Sequence, residues 1–244
     1  MFEPQKGEIL TFNKPYKWTS FDVVSKVRAK VRHRIKVKKL KVGHAGTLDP
    51  LATGVLIVCL GKATKQIEEL QKHTKEYVAT VRLGATTPSF DLETEEDATY
   101  PTDHITEDMI RQTLNQFTGE IMQTPPAFSA VKVDGKRAYA LARSGKDVEL
   151  KAKPVFIDEI ELMQCDLDKK QIVIRVVCSK GTYIRSLARD IGLALNTGAY
   201  LTDLCRTRIG EYKLADCLDI ETFDTWLDGQ DIRIMNEQSA AADK

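Results

Sequence analysis

A glycine-rich run, GHAGTLDPLATG at residues 43–54, constrains the fold of this 244-residue chain more than any other feature. Three glycines and a proline exclude a regular helix or strand at its centre, so the run must form a loop or turn. The apolar residues 55–60 that follow have the length of a buried strand. The sequence therefore predicts a loop that leads directly into the core.

Asp49 lies within this loop and is followed by Pro50. Proline fixes its own φ and biases the residue before it away from helix, so we expect the carboxylate on a stiff turn. A carboxylate with a fixed aim suits a nucleophile or a base. From the residues alone, an Asp-Pro turn whose carboxylate accepts local N–H groups is the commoner outcome. A dinucleotide or Walker loop is excluded, since the glycine spacing is wrong and no GK[ST] follows.

Hydrophobic periodicity around this loop predicts a mixture of strands and helices. The first helix is predicted to begin at Thr19 or Ser20 and to bury a valine stripe; the stripe comprises Val23, Val24, Val27 and Val31. Strands are predicted at residues 7–12, 55–60, 76–83, 155–163 and 171–178, and helices at 62–70, 105–117 and 182–195, with Gly119 and Gly198 at the exits of the last two. Residues 84–104 are predicted to form a loop. The irregular order of these elements indicates an α+β or mixed-sheet fold.

Composition limits the class of protein. Hydrophobic residues make up 42% of the chain, enough for a substantial core, but no apolar run reaches the roughly 20 residues that span a bilayer. No signal peptide is apparent, so we expect a cytoplasmic protein with no membrane partner. The five cysteines lack CxxC spacing and the four histidines are scattered. A disulfide framework and a metal site are therefore not expected.

Charge is distributed unevenly although the net charge is only +1. Residues 26–41 contain nine lysines and arginines and no acid, whereas residues 211–244 contain nine acids and three bases. A basic block of this kind suits phosphate groups, and a solvated basic face is an equally good interpretation from charge alone. Residues 124–151 form a second basic region. There the pattern predicts a strand at 128–133, a turn at Asp134-Gly135 and a helix at 136–143.

Several segments resemble one protein family. GHAGTLDPLATGVLIVCLGKATK at 43–65 is similar to the signature of the TruB family of tRNA pseudouridine synthases. KEYVATVRLG at 75–84, PPAFSAVKVDGKRAYALAR at 125–143 and CSKGTYIRSLARDIG at 178–192 match in the same order. The resemblance covers roughly residues 8–210. It implies an α+β synthase core with a mixed, mostly antiparallel sheet flanked by helices.

The resemblance also implies roles for individual residues. Asp49 matches the catalytic aspartate, Arg185 the arginine that pairs with it, and Tyr77 a tyrosine that stacks on the uracil. His44, Tyr183 and Leu204 match residues near the target nucleotide. Asp91 matches an acidic position close to the site, a weaker assignment, and Lys65 and Gly181 are assigned to structure or to the RNA side.

Domain organisation follows from the same resemblance. Residues 1–210 match the catalytic domain, in which 124–151 are an insertion that clamps over RNA, and 211–244 are a short acidic extension. Many family members carry a further C-terminal RNA-binding domain, for which this extension is too short. The basic residues of the clamp and of the first basic block are predicted to contact the RNA backbone; they are Lys36, Lys38, Lys39, Lys41, Lys132, Lys136, Arg137 and Arg143.

The implied activity is conversion of uridine 55 in the TΨC loop of tRNA to pseudouridine, by base flipping and without a cofactor or metal. The implied partner is the TΨC stem-loop of tRNA. No obligate protein partner is expected, and a monomer is the default expectation. One alternative is a non-catalytic RNA-binding or tRNA chaperone protein, which needs the basic residues but not Asp49. A carboxylate-dependent glycosidase or phosphohydrolase would need a second acid or a metal cluster. The acidic run DLETEED at residues 91–97, which resembles a solvated loop, is the nearest candidate.

Overall fold

The computed structural model describes residues 1–129, 132–133, 136–138 and 150–234 of the protein. The chain divides into two compact units. The first unit comprises Met1–His73 together with Arg206–Lys244, and the second comprises Thr74–Cys205. None of the helices in the described ranges is long and apolar enough to cross a membrane.

Strands and short helices alternate irregularly along the chain. The strands are β1 (Glu8–Lys14), β2 (Val42–His44), β3 (Thr53–Leu60), β4 (Lys75–Leu83), β5 (Ala85–Thr86), β6 (Ala98–Thr99), β7 (Gly119–Gln123), β8 (Lys132–Val133), β9 (Lys136–Arg137), β10 (Lys153–Asp166), β11 (Gln171–Cys178), β12 (Ala199–Ile209), β13 (Tyr212–Lys213) and β14 (Leu218–Asp219). The α-helices are α1 (Ser20–Arg34), α2 (Ile67–Leu70), α3 (Glu107–Asn115), α4 (Ile184–Ala194) and α5 (Phe223–Asp228). Short 3-10 helices cover Gly61–Gln66 and Leu214–Asp216.

The first helix begins as the sequence predicts. Thr19 is its N-cap, and the Thr19 hydroxyl accepts a hydrogen bond from the Asp22 backbone N–H at 3.1 Å. The Asp22 carboxylate in turn accepts from the Thr19 N–H at 2.8 Å, which completes a capping box. All four predicted valines are buried in the core of the first unit.

A mainly antiparallel group of strands forms the sheet of the first unit. Strands β14, β1 and β3 lie side by side, with β2 next to β3. The β1–β3 and β2–β3 pairs are antiparallel, and β1 pairs with β14 in parallel. Strand β1 extends to Lys14, two residues beyond the predicted end.

The acidic C-terminal segment supplies apolar side chains to this unit. The ring centroids of Phe223 and Phe12 lie 5.2 Å apart in an edge-to-face arrangement. Ile220 and Leu227 are buried in the same core cluster. The segment from 218 to 228 is therefore packed by its apolar residues, whereas its acids remain at the surface. A division of the chain into domains at residue 210 stays a prediction.

The second unit contains the strand order β4-β11-β10-β7, with the first part of β12 beside β4. The three ladders of this series are antiparallel. Strand β4 alternates as predicted, because Tyr77, Ala79, Val81 and Leu83 are buried and the residues between them are partly exposed. Together with the helices of each unit, these mainly antiparallel sheets confirm the predicted α+β class.

Several local predictions were wrong. Strand β12 was not predicted, because its 11 residues lack regular alternation. Helix α4 ends at Ala194, and the residue with a left-handed φ at its exit is Asn196 (φ of 56°) and not Gly198. The stretch predicted as a loop contains the short β5–β6 pair. The five cysteines, all in the described part of the chain, are free thiols.

The second basic region is described only in part. Lys132–Val133 pairs antiparallel with Lys136–Arg137, which confirms a hairpin at the predicted turn. Phe128 and Ser129 do not belong to the strand that was predicted at 128–133, and Lys136–Arg137 is a strand rather than the start of the predicted helix. Ala138 is described and buried, whereas Arg143, the rest of that helix and the turn residues lie outside the described residues.

Candidate active site

Asp49 lies in the first unit, on the loop between β2 and β3, and its side chain is half-buried. The Ala52 N–H donates to the Asp49 carbonyl oxygen at 3.1 Å, which closes a tight turn around Pro50. The predicted loop and the stiff turn are therefore present. Backbone carbonyl groups on both sides of Asp49 are bound by buried side chains from other segments of the same unit.

Lys14 is the first of these side chains. Its side chain is fully buried, and its ammonium group donates to the carbonyl oxygens of Trp18 at 2.6 Å, Pro15 at 3.0 Å and Pro50 at 3.2 Å. Burial lowers the pKa of Lys14 from 10.5 to about 8, and the nearby Asp49 carboxylate opposes that shift. A buried ammonium therefore ties the end of β1 to the residue after Asp49.

Ser20 and Arg206 hold the part of the loop that precedes Asp49. The Ser20 hydroxyl accepts from the Leu48 N–H at 2.9 Å and lies 3.2 Å from the Leu48 carbonyl oxygen. The guanidinium of Arg206, 1% exposed, donates to the carbonyl oxygens of Val55 at 2.8 Å and Gly46 at 3.1 Å. Both ends of the loop are thus fixed by one planar group, which matches the fork geometry of arginine.

Gly54 explains why the sequence needs glycine at the end of this loop. It has a φ of 106°, which L residues with a Cβ rarely adopt. A Cβ at Gly54 would lie 2.6 Å from the backbone nitrogen of Arg206. Glycine therefore permits a close approach between β3 and the segment that carries Arg206.

His44 is the last residue of β2 and is partly buried. Burial and the positive charge of Arg206 lower the pKa of His44 below its ordinary value of 6.5. The imidazole is consequently neutral at pH 7. A neutral ring is better suited to contact a base than a phosphate group.

Tyr77 and Arg185 lie in the second unit. Tyr77 is buried on β4, on the face that carries Ala79. Arg185 is in the first turn of α4 and is 4% exposed, so its side chain is buried and does not lie on a solvated face of the helix. Its guanidinium donates to the carbonyl oxygens of Phe128 at 2.9 Å and Ser89 at 3.2 Å.

The acidic run at 91–97 is not uniformly solvated. Asp91 is buried, and its carboxylate lies 3.6 Å from Nε of Arg185. The Asp91 side chain also accepts from the Glu93 N–H at 2.9 Å. Asp91 is therefore a partner of Arg185 within the second unit, and the predicted pairing of Arg185 with Asp49 stays a prediction.

The start of α4 is also joined to the strand that leads into the second basic region. Gln123, at the end of β7, is 2% exposed. Its amide accepts from the Tyr183 N–H at 2.8 Å and donates to the Tyr183 carbonyl oxygen at 3.1 Å. Ser186 donates to the Thr124 carbonyl oxygen at 2.8 Å. These bonds join the start of α4 to the end of β7. They position the backbone of Tyr183 and that of the residues leading into the predicted clamp.

Four side chains with structural roles were not predicted from the sequence, namely Lys14, Ser20, Gln123 and Arg206. The position of Lys14 before Pro15, at the end of a strand, only weakly indicates a buried lysine. The sequence around Arg206 does not indicate its role, because the strand that contains it was not predicted. Leu204 lies on β12 and is partly exposed. Its predicted role in the nucleotide pocket stays a prediction, as do the assignments of Lys65 and Gly181.

The first basic block has two structurally different parts. On α1, Lys30 lies 2.6 Å from Asp224 and Arg34 lies 3.6 Å from Asp228, so α5 offsets part of its charge. Beyond the helix, Ile35, Val37 and Leu40 pack against the core, and the lysines between them point outward. These lysines are Lys36, Lys38, Lys39 and Lys41, all exposed and without an ion pair to any described residue.

Comparison with known proteins identifies the chain. Residues 32–184 match the model of the TruB family pseudouridylate synthase N-terminal domain, and residues 185–233 match that of the tRNA pseudouridylate synthase B C-terminal domain. The tRNA pseudouridine synthase B of Phocaeicola vulgatus is 65% identical over 234 residues, which cover 96% of this chain and 99% of that protein. The protein of the same name from Bacteroides thetaiotaomicron is 68% identical over 230 residues, covering 93% and 96%.

Solved structures agree with the sequence matches. The chain is 31% identical, with a TM-score of 0.67, to a structure of a Cbf5-Nop10-Gar1 complex, and the match covers 93% of this chain and 57% of that one. It is 29% identical, with a TM-score of 0.64, to an H/ACA RNP bound to a substrate RNA containing 2′-deoxyuridine, covering 92% and 56%. This chain thus spans just over half the length of those two solved chains. By class it is a pseudouridylate synthase. Among these enzymes, it belongs to the TruB family.

Proposed function

We propose that this chain converts uridine 55 in the TΨC loop of tRNA to pseudouridine, with Asp49 as the catalytic carboxylate. Relatives that are 65% and 68% identical over nearly their whole length bear the name tRNA pseudouridine synthase B, which supports tRNA as the substrate. The match of GHAGTLDPLATG to the family signature supports the role of Asp49.

The observation that carries the proposal is the fixed backbone around Asp49. Lys14, Ser20 and Arg206 bind carbonyl groups of the residues that surround it, and all three side chains are buried. An aspartate in an ordinary surface turn needs no such support. A carboxylate that must meet one atom of a bound nucleotide does, since a displacement of about 1 Å costs roughly 100-fold in rate.

The reaction itself is an isomerisation. The bond from ribose C1′ to N1 of uracil breaks, the base turns, and a bond from C1′ to C5 forms. The proton on C5 is lost and N1 gains one, so atoms and electrons balance without an oxidant or a co-reactant. The carboxylate of Asp49 has three routes into this reaction: attack on the ribose, attack on the base, or removal of a sugar proton.

The other family-matched residues receive complementary roles. Tyr77 offers a ring for stacking on the uracil, worth roughly 1–3 kcal/mol, and a hydroxyl for proton transfer. Arg185 pairs with Asp49 and keeps that carboxylate ionised, in addition to the groups that Arg185 binds within its own unit. His44, Tyr183 and Leu204 line the nucleotide pocket, where the neutral imidazole of His44 meets a base.

Binding of tRNA requires the target base to leave its stack, at a cost of about a few kcal/mol. The basic residues at 36–41 and those of the clamp, Lys132, Lys136, Arg137 and Arg143, offset this cost by phosphate contacts. The enzyme acts as a monomer without an obligate protein partner, a cofactor or a metal ion. These features stand as parts of the proposal.

The test is release of tritium from tRNA labelled at uracil C5, measured in the presence of a chelator. We expect release by the native protein, and a loss of at least about 10³-fold in Asp49→Asn, which keeps the shape of the side chain but removes its charge. Asp103→Asn, at an exposed aspartate of the second unit, serves as the matched control and should retain full activity.

A second substrate tests the position. A tRNA with cytidine at position 55 and tritium in its remaining uridines should release none. Release from this RNA would contradict the assignment to position 55. Absence of release from normal tRNA by native protein that still binds it would favour the non-catalytic RNA-binding alternative.

A further inference from the structure

The segment from Tyr16 to Arg28 presents aromatic rings and basic groups side by side at the surface of the first unit. Tyr16 is 46% exposed and Phe21 is 63% exposed. The Lys17 ammonium lies 5.7 Å from the centroid of the Tyr16 ring, and the Arg28 guanidinium lies 6.0 Å from that of Phe21. Exposed aromatic rings next to cations offer a partner both a stacking face and a positive charge.

A groove of about 390 Å³ lies within this segment. It is lined by Lys17, Trp18, Asp22, Ser25 and Lys26. The Lys26 ammonium lies 5.7 Å from the centroid of the Trp18 ring. The groove is therefore walled by an indole and by two cations.

One acid faces this groove, and its charge is already engaged. The Asp22 carboxylate accepts hydrogen bonds from the Thr19 N–H at 2.8 Å and from the Thr19 hydroxyl at 2.7 Å. These bonds belong to the capping box of α1, and they lower the pKa of Asp22. The helix N-terminus is thus capped internally, while Lys17 and Lys26 leave a positive balance for an anionic partner.

The groove is linked to the loop of the proposed catalytic aspartate. The Lys17 N–H donates to the Pro50 carbonyl oxygen at 2.8 Å. Lys17 has a left-handed φ of 67°, a conformation that costs a lysine energy and tends to occur where function requires it. Its backbone is consequently bound to the residue next to Asp49, and its side chain is exposed.

We propose that this groove binds the RNA strand next to the target nucleotide. Two phosphate groups of the strand contact Lys17 and Lys26, one each, and unpaired bases stack on Tyr16 and Phe21, which belong to the same segment but not to the lining of the groove. The proposal rests on the proposed function, since the strand reaches the groove only if the target base is at Asp49. Single-stranded RNA fits the observations because a groove that combines cations with stacking faces recognises both parts of a nucleotide.

The test uses the unmodified TΨC stem-loop RNA and measures its Kd at several salt concentrations. In the double variant Lys17→Gln/Lys26→Gln we expect Kd to rise about 10-fold and the slope of log K against log salt to fall by about 1.4, since each single-strand contact contributes about 0.7. The matched control is Lys6→Gln/Lys72→Gln, which removes two exposed lysines elsewhere in the same unit. It should leave both quantities close to those of the native protein.

Stacking is tested separately with Phe21→Ser. We expect Kd to rise on the order of 10-fold with an unchanged salt slope, because an uncharged contact is lost. The control Leu193→Ser removes an equally exposed apolar side chain from α4 and should bind as the native protein does. Native-like binding by both groove variants, or losses no larger than those of their controls, would overturn the proposal.

Tritium release by the native protein separates this proposal from the proposed function. If the native protein releases tritium and the groove variants bind normally, the groove proposal fails and the function stands. If no tritium is released, the proposed reaction fails. The groove still binds RNA if the double lysine variant loses affinity with a lower salt slope and Phe21→Ser loses affinity with an unchanged slope.

Discussion

The ammonium nitrogen of Lys14 lies 3.2 Å from the carbonyl oxygen of Pro50, the residue that follows Asp49. This bond joins the end of the first strand to the loop that carries the proposed catalytic carboxylate. The position of that loop is therefore fixed by a buried cation and not by an exposed one.

Replacement of Lys14 should therefore destabilise the protein. Lys14→Met takes the charged donor away from three carbonyl oxygens, of which those of Pro15 and Pro50 keep a backbone N–H donor, while it removes the cost of burying the ammonium. We expect the free energy of unfolding to fall by about 2–4 kcal/mol in urea titrations. Lys6→Met, at an exposed lysine, should change it by less than about 0.5 kcal/mol. Equal effects of the two variants would show that Lys14 does not hold the loop.

The lowered pKa of Lys14 predicts how this contribution depends on pH. Because the folded pKa of about 8 lies below the ordinary value of 10.5, the unfolded chain binds more protons between these values, and stability from this group rises with pH. The contribution is complete above pH 10.5 and is lost as the pH falls through 8. The stability difference, native minus Lys14→Met, should grow by about 2 kcal/mol between pH 7.5 and pH 10. A constant or shrinking difference would contradict this assignment.

Gly54 should not tolerate a side chain. Gly54→Ala places a Cβ against the backbone of Arg206 at a φ of 106°, so we expect a loss of more than about 3 kcal/mol in the free energy of unfolding. Gly119 is the matched control, because its φ of 94° is similar but no atom of the residues that the structure describes lies within 4 Å of an added Cβ. Gly119→Ala should cost about 1–2 kcal/mol, from backbone strain alone. If Gly54→Ala loses no more stability than Gly119→Ala, the close approach of the Arg206 backbone does not explain the need for glycine at position 54.

Gln123 should matter for activity although it lies outside every motif noted in the sequence. Gln123→Leu removes the side-chain acceptor of the Tyr183 N–H and one donor to the Tyr183 carbonyl oxygen, which keeps its bond from the Leu187 N–H, so we expect a cost of about 1–3 kcal/mol in stability. Because Tyr183 is assigned to the nucleotide pocket, kcat/KM in the tritium assay should fall about 10-fold. Gln112→Leu, on the exposed side of α3, should leave both quantities unchanged. An unaltered kcat/KM in Gln123→Leu would show that Tyr183 needs no such support.

The four outward lysines of the loop after α1 should supply salt-dependent affinity for tRNA. Replacement of Lys36, Lys38, Lys39 and Lys41 by Gln should weaken binding and lower the salt slope by about 3, if each contacts one phosphate. Lys30→Gln/Arg34→Gln should have a smaller effect per charge, since Asp224 and Asp228 already offset these groups. An unchanged slope in the fourfold variant would remove these lysines from the RNA surface.

Much of the fold follows from local patterns in the sequence. The capping residues and valines of α1, the alternation of β4 and the apolar run of β3 each predict the element that the structure contains. These elements are determined locally, because a helix stripe or a strand face is written in residues only a few positions apart. Strand β12 was missed since its neighbours, and not its own pattern, decide which of its residues are buried.

The site divides in the same way. Asp49 and its loop were predicted from the sequence, because glycines, a proline and a family motif lie within a dozen residues. The partners that hold the loop come from positions 14, 20 and 206, and the partners of Arg185 come from positions 89, 91 and 128. Only the tertiary structure brings these groups together. The sequence alone thus determined which carboxylate to examine, and the tertiary structure decided what fixes its loop, because hydrogen bonds between distant segments form only once the chain is packed.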